Sequence, residues 1–259
     1  MNLKTVAVND SGPVRTITLH QPDRRNAMTP EMQMELIATL EETAASHCRV
    51  LVLAGAGSAF CSGLDLSTFQ QMQGDSPSDY RTDAERVARL FLALYELPIP
   101  TIAAVHGPAI AGGGGLAILC DFTLAAPEAR FGFTEVRIGF VPALVSIFLS
   151  LQIGDKRIRD LLLTGRILDA NEARQMGLVN EVVPQEELAL RVASLAESLL
   201  ANSPQALGAT KRMIAERQRA WLDIAIANAI EVSAQIRETG DFREGIAAFL
   251  EKRKPAWNK

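Results

Sequence analysis

Between residues 107 and 121 the chain reads GPAIAGGGGLAILCD, with four consecutive glycines, Gly112 to Gly115, ahead of an apolar run. Glycine is placed where backbone turns tightly or comes close to another group. An earlier stretch, Gly55 to Leu66, reads GAGSAFCSGLDL. Both stretches leave a β-rich run and lead towards a helical one. Backbone N–H groups in such turns, above all at a helix N-terminus, are unpaired donors. Two of them converging on one point would hold a carbonyl oxygen that becomes negative during reaction, an oxyanion hole. The same glycines would equally allow a helix to pack closely on a strand, and residue type alone leaves both readings open. A phosphate-cradling loop fits poorly, because no Gly-Lys-Ser/Thr follows.

The elements that must position these loops can be read from pattern. LKTVAVND and PVRTITLH are β-rich runs joined by a turn-like NDSG, which predicts a hairpin. In AMTPEMQMELIATLEETAAS, Thr29 suits an N-cap, Pro30 the first helical position, and Leu36, Ile37, Leu40 and Ala44 share one face. Val50 to Gly55 reads as a buried strand, Asp79 to Glu96 as a helix stopped by LPIP, and TIAAVHG as a further strand. The glycine run then precedes a helix, LAILCD, with short strands in FTLAA and ARFGF. Strand, strand, helix, repeated, predicts a mixed α/β core; no GxGxxG opens a helix after a strand, so a dinucleotide-binding fold is not expected. From about Ser203 the chain reads as mostly helical, with Leu222, Ala225, Ala229, Val232 and Ile236 spaced for one face. That face would either pack on the core or form a subunit interface.

Composition sets bounds. The 259 residues are 48% hydrophobic and 22% charged, as in an ordinary soluble protein, and the net charge of −4 leaves no basic footprint for nucleic acid. Cys48, Cys61 and Cys120 lack the close pairing of zinc sites and point to a reducing compartment. The N-terminus has no long apolar h-region, so a cytoplasmic protein is expected. Leu97 to Cys120 lacks Asp, Glu, Lys and Arg, but its prolines and glycines favour a buried strand, loop and helix over a membrane span.

Several ordered segments carry a resemblance: SAFCSGLDL, AAVHGPAIAGGGGLAILCDFTLAA, ARFGFTEVRIGFVP and LLLTGRILDANEARQMGLVNEVVP, with RRNAMT before them and EGIAAFLEKRKP after. Together they are similar to the crotonase superfamily, the enoyl-CoA hydratase/isomerase family, over nearly the whole chain. The resemblance implies an α/β fold, a crotonase-like spiral of ββα units over residues 1–195. A C-terminal helical region, 196–259, would then serve trimerisation, often as a dimer of trimers, and close the active site. It implies an acyl-CoA thioester as substrate, coenzyme A being part of that substrate, with no separate cofactor and no metal.

By the same resemblance the oxyanion donors map to the backbone N–H groups of Ser62 and Gly112. Arg24, Arg25 and Ala27 map to the CoA path, and the segment Ala59 to Leu66, including Gly63, Leu64 and Asp65, to the adenine and pantetheine contacts. Ala111 and Thr134 fall beside the thioester. Arginines suit phosphate because the guanidinium forks onto its oxygens; Lys252 and Arg253 are weaker candidates for the same task. Family hydratases carry two glutamates. The later maps to Glu135, whose apolar setting in FGFTEVRIGF should raise its pKa. The earlier maps to Gly115, where no carboxylate is present, Asp121 being the nearest downstream.

One carboxylate beside an oxyanion hole suffices to move a proton from C2 to C4 of a 3-enoyl-CoA, the Δ3,Δ2-isomerisation. Hydration of a 2-enoyl-CoA asks also that a water be held and activated, so a single glutamate implies isomerase chemistry or weak hydration. Thr134, His106 and Asp65 are the polar groups near the implied site, with His106 read as structural. The apolar segment GFVPALVSIFLS favours an acyl chain without much polar decoration. The alternatives are a thioester hydrolase, decarboxylase or C–C lyase of the same family, and a non-catalytic scaffold or RNA-binding member.

Overall fold

The computed structural model describes residues 3–72 and 74–257. The chain opens with β1 (Val6–Ser11) and β2 (Val14–Leu19), paired antiparallel as a hairpin. Helix α1 (Pro30–Ala45) follows, capped by Thr29, whose side chain accepts from Met32 N–H, with Pro30 at its first position. Then come β3 (Val50–Gly55), a short α2 (Leu66–Gln71), α3 (Pro77–Tyr95) and β4 (Thr101–Val105). The α2 turn carries no amphipathic pattern of its own and was not read from sequence.

Next are β5 (Pro108–Ile110), α4 (Gly112–Leu119), β6 (Phe122–Ala125) and β7 (Arg130–Gly132). A 3-10 turn spans Glu135–Ile138. The remaining core elements are α5 (Ala143–Ser150), α6 (Asp155–Thr164), β8 (Ile167–Asp169), α7 (Ala170–Met176) and β9 (Glu181–Val182). The chain then continues through α8 (Leu188–Leu200), α9 (Pro204–Glu216), α10 (Arg219–Ile236) and α11 (Gly240–Leu250). Ser203 caps α9, where the helical tail was expected to begin. Residue 195, the expected limit of the core, lies inside α8.

Two sheets organise the molecule. The larger runs β1-β2-β3-β4-β6-β9, parallel from β2 onward, and the smaller runs β5-β7-β8. Parallel strands are covered on both faces and read as apolar runs rather than alternating ones. Leu51 and Val50 in β3 and Ile102 and Ala103 in β4 are accordingly 0% exposed. Open sheets of this kind place ligands beyond the carboxyl ends of their strands. The loops leaving β3 and β4, 56–65 and 106–107, are at those ends.

The glycine run is not a loop ahead of a helix. It is the first turn of α4, because all four residues are buried against neighbours that leave little room for a side chain. A Cβ at Gly113 would run into the Cys61 carbonyl oxygen and lie 2.7 Å from Cys61 Cβ. At Gly114 it would meet the Phe133 ring at 3.0 Å and Ala109 O at 3.1 Å. The C-terminal stripe mainly packs inward: Leu222 and Ala229 are buried in the main core, Ile236 joins an aromatic cluster of Phe69, Phe140 and Phe242, and Val232 is exposed. Among the described residues, no helix is long and apolar enough to cross a membrane.

Candidate active site

A cavity of about 250 Å³ lies where the 3-10 turn at Glu135, the start of α4 and the loop after β3 meet. Two strand-like stitches draw those loops together. Cys61 N–H donates to Pro108 O at 3.1 Å and Ile110 N–H donates to Cys61 O at 2.9 Å. Met28 N–H then donates to Gly63 O at 2.8 Å, and Asp65 N–H to Met28 O at 3.3 Å. Gly63 turns the chain at φ +91°, a conformation glycine adopts without strain. A Cβ there would lie 2.9 Å from Ala111 Cβ and 3.5 Å from Gly112 N, so the two backbone segments approach closely.

Ser62, expected as an oxyanion donor, is engaged within this loop. Its backbone N–H donates to Arg25 O at 3.0 Å and is therefore occupied. Within the same loop, Leu64 N–H donates to no group among the described residues, and Leu64 lines the cavity. Gly112 N–H is one of the helix-start donors that α4 cannot satisfy internally, the first closing bond being Gly115 N–H to Ala111 O at 3.0 Å. Leu64 and Gly112 thus both line the cavity with backbone N–H groups that have no hydrogen-bond partner among the described residues. Ala111, at the N-cap, holds φ +51° and ψ −126°, strain that a non-glycine residue keeps only where surroundings impose it. Here β5 pairs on one side and Ala111 N–H donates to Gly132 O at 2.6 Å.

Glu135 faces the same space. It is 6% exposed and its Oε2 has no hydrogen-bond partner among the described residues. Burial raises its pKa to about 7, only partly countered by a hydrogen bond from its own backbone. A carboxyl so placed exchanges protons near neutral pH. Thr134 lines the cavity beside it.

Position 115 is closed as well as uncharged. A Cβ there would stand 2.8 Å from Phe91 Cζ, 3.0 Å from Phe91 Cε2 and 3.1 Å from Val145 Cγ2. The Phe91 ring thus fills the place where a second carboxylate would project. Phe91 was missed in sequence because nothing local in α3 ties it to the glycine run.

The expected CoA-side residues separate. Arg25 lines the cavity, while Arg24 turns to Asp65 Oδ2 at 2.8 Å and Ser67 Oγ at 3.0 Å. Burial pushes the Asp65 carboxyl up, but hydrogen bonds from Ser67 and Thr68 and the Arg24 charge hold it below its ordinary value. Asp65 is a loop clamp in this geometry. Leu66 lines the cavity, whereas Ala27 and Ala59 are buried and do not line it. Arg253 is engaged by Glu244, with Nη2 to Oε2 at 2.9 Å, and by Glu251. His106 stands outside the cavity, its Nε2 2.9 Å from Gly57 O.

Asn26, quoted within RRNAMT but given no role, organises the loops. It is fully buried, and its Nδ2 donates to Ala56 O and Ala59 O, both at 2.8 Å. Phe140, Leu144 and Val145 supply the apolar wall expected of that segment, but Ser233 and Arg237, from the far end of the chain, line the same cavity.

Leu64, Gly112 and the buried Glu135 line one cavity. Residues 9–259 match the family model described as enoyl-CoA hydratase/isomerase. A putative enoyl-CoA hydratase of Thermus thermophilus is 41% identical over 95% of this chain and 98% of its own. The crystal structure of an enoyl-CoA hydratase from Mycobacterium avium subsp. paratuberculosis superposes with a TM-score of 0.89 at 27% identity, covering 99% of this chain and all of the other. An enoyl-CoA hydratase/isomerase from Pseudoalteromonas atlantica gives 0.88 at 30% identity, covering 98% of this chain and all of its own. The site geometry and these likenesses agree, and the chain belongs to the enoyl-CoA hydratase/isomerase family of enzymes, with the crotonase fold.

Proposed function

We propose that this enzyme isomerises 3-enoyl-CoA thioesters to 2-enoyl-CoA with Glu135 as its one proton carrier. The thioester oxygen sits between the N–H groups of Leu64 and Gly112. Ionised Glu135 removes a proton from C2, and the electron pair moves onto the carbonyl oxygen as a dienolate. The protonated carboxyl then returns the proton at C4 as the double bond shifts. Donors already in place hold the negative charge without reorganising, and each such donor is worth about 3–4 kcal/mol of barrier. Arg25 is suited to a phosphate of the CoA moiety at the cavity mouth.

The observation that carries this reading is the pairing of an unpartnered, buried Glu135 with a ring at Phe91 that closes position 115. Hydration of a 2-enoyl-CoA by the same carboxyl is the second reading, favoured by the hydratase names of the relatives. Turnover of 3-hexenoyl-CoA and crotonyl-CoA, measured side by side, decides between them. The proposal expects isomerisation to dominate; hydration at the faster rate would overturn it. Exposed Met213, Ile214, Trp221 and Ile224 on α9 and α10 support self-association through the C-terminal helices, to be read by analytical ultracentrifugation.

A further inference from the structure

The proton transfer above uses one end of the cavity; the other end holds a charge that it does not use. Arg237 follows α10 and lines the cavity, yet its side chain is 2% exposed. A buried guanidinium is costly unless its donors find acceptors. Nη1 forms an ion pair with Asp83 Oδ2 at 2.8 Å, and neither Nη1 nor Nε makes a well-aligned hydrogen bond among the described residues. Asp83 also pairs with Arg86, whose Nε donates to Gln33 Oε1 at 2.8 Å. Two guanidinium groups share the one Asp83 carboxylate, so it does not neutralise both.

The faces of Arg237 are covered by aromatic rings, Phe69 at 4.6 Å and Phe140 at 5.5 Å from its central carbon. Stacking satisfies the plane of the group and leaves its N–H edge wanting an acceptor. Ser233, one helical turn earlier and also buried, lines the same cavity.

Helix α3 gives the distance from the thioester end. Phe91 packs beside Gly112, where a Cβ would lie 3.9 Å from its Cζ. Val87 comes one turn before and lines the wall; Asp83 comes two turns before, about 12 Å along the axis. An acyl chain running along this wall from the oxyanion pair would meet Arg237 with its terminal carbons. We propose that the acyl group ends in a carboxylate, so that the substrate is the CoA thioester of a dicarboxylic acid of about six to eight carbons. Arg237 takes that carboxylate at its free edge, with Ser233 as second donor. This assignment rests on the cavity being the acyl-CoA site proposed above.

Calorimetric binding of unreactive, saturated thioesters tests it apart from the reaction. Adipoyl-CoA and suberoyl-CoA are compared with hexanoyl-CoA and octanoyl-CoA on the full chain and on Arg237→Gln. The expected result is that one dicarboxylyl thioester binds the unaltered protein at least about tenfold more tightly than its apolar counterpart. Arg237→Gln should abolish that preference while changing the apolar affinities by less than about threefold. Equal or weaker binding of both dicarboxylyl thioesters by the unaltered protein overturns the assignment, whether or not the variant folds. So does a loss in Arg237→Gln that is the same for both kinds of chain. Failure of the isomerisation assay with this preference intact would instead count against the reaction alone.

Discussion

The two ends of the cavity are built from different materials. The end proposed for the thioester is made of backbone: the N–H groups of Leu64 and Gly112, beside a positive-φ glycine and a strained N-cap. The end at Arg237 is made of side chains from α3, α2 and the close of α10, held by charge and aromatic stacking. Backbone sites should be indifferent to the identity of a side chain and intolerant of an added Cβ. Side-chain sites should behave in the opposite way. Glu135 is the one group in the proposed reaction whose chemistry cannot be supplied by backbone.

The largest expected effect is at that group. Glu135→Gln keeps the shape and removes the base, and turnover should fall about 10²–10⁴-fold with little change in affinity for a saturated acyl-CoA. Steady-state kinetics beside calorimetry reads both. Next is Gly63→Ala, whose Cβ would press on Ala111 Cβ and Ile110 O, each at 2.9 Å, and displace Leu64 N–H. Losing one donor lowers kcat by about 10²–10³-fold; an unchanged kcat would remove Leu64 from the oxyanion pair.

A smaller effect concerns stability. Folding raises the Glu135 pKa from 4.5 to about 7, so the folded state binds the extra proton in that interval. Stability from this group is present at low pH and is lost as pH rises through the interval. Glu135→Gln should therefore raise the melting temperature above about pH 7 and leave it little changed near pH 4, as thermal scans would show. The smallest effect is expected for Ser62→Ala. Its backbone N–H bonds Arg25 O in either variant, so activity should stay within about twofold.

The backbone end was legible in sequence because its parts are local. The glycine run, the SAFCSGLDL loop and the hairpin before them each carry a pattern within a dozen residues, and the fold class followed from the same runs. The proposed donor differs from the expected one. Ser62 and Leu64 are two residues apart, and only the bond from Ser62 N–H to Arg25 O tells which is free. The helix boundary was misplaced for a related reason: four glycines look like a loop until close packing against Cys61 and Phe133 is seen. The side-chain end left no trace in sequence. Asp83 is an ordinary charge on α3 and Arg237 one at the end of α10, and only the folding of α10 onto α3 buries them together. Phe91 reads as plain core, and its role at position 115 depends on the same packing.

Glu135 is proposed to act alone, with a pKa near neutrality set by burial. The rate of 3-hexenoyl-CoA isomerisation against pH tests this most directly. If ionised Glu135 is the base, kcat/KM rises through an apparent pKa of about 7 in the unaltered enzyme, and the rising limb disappears in Glu135→Gln. A rate that does not change across that range, or a limb that survives in Glu135→Gln, would contradict it.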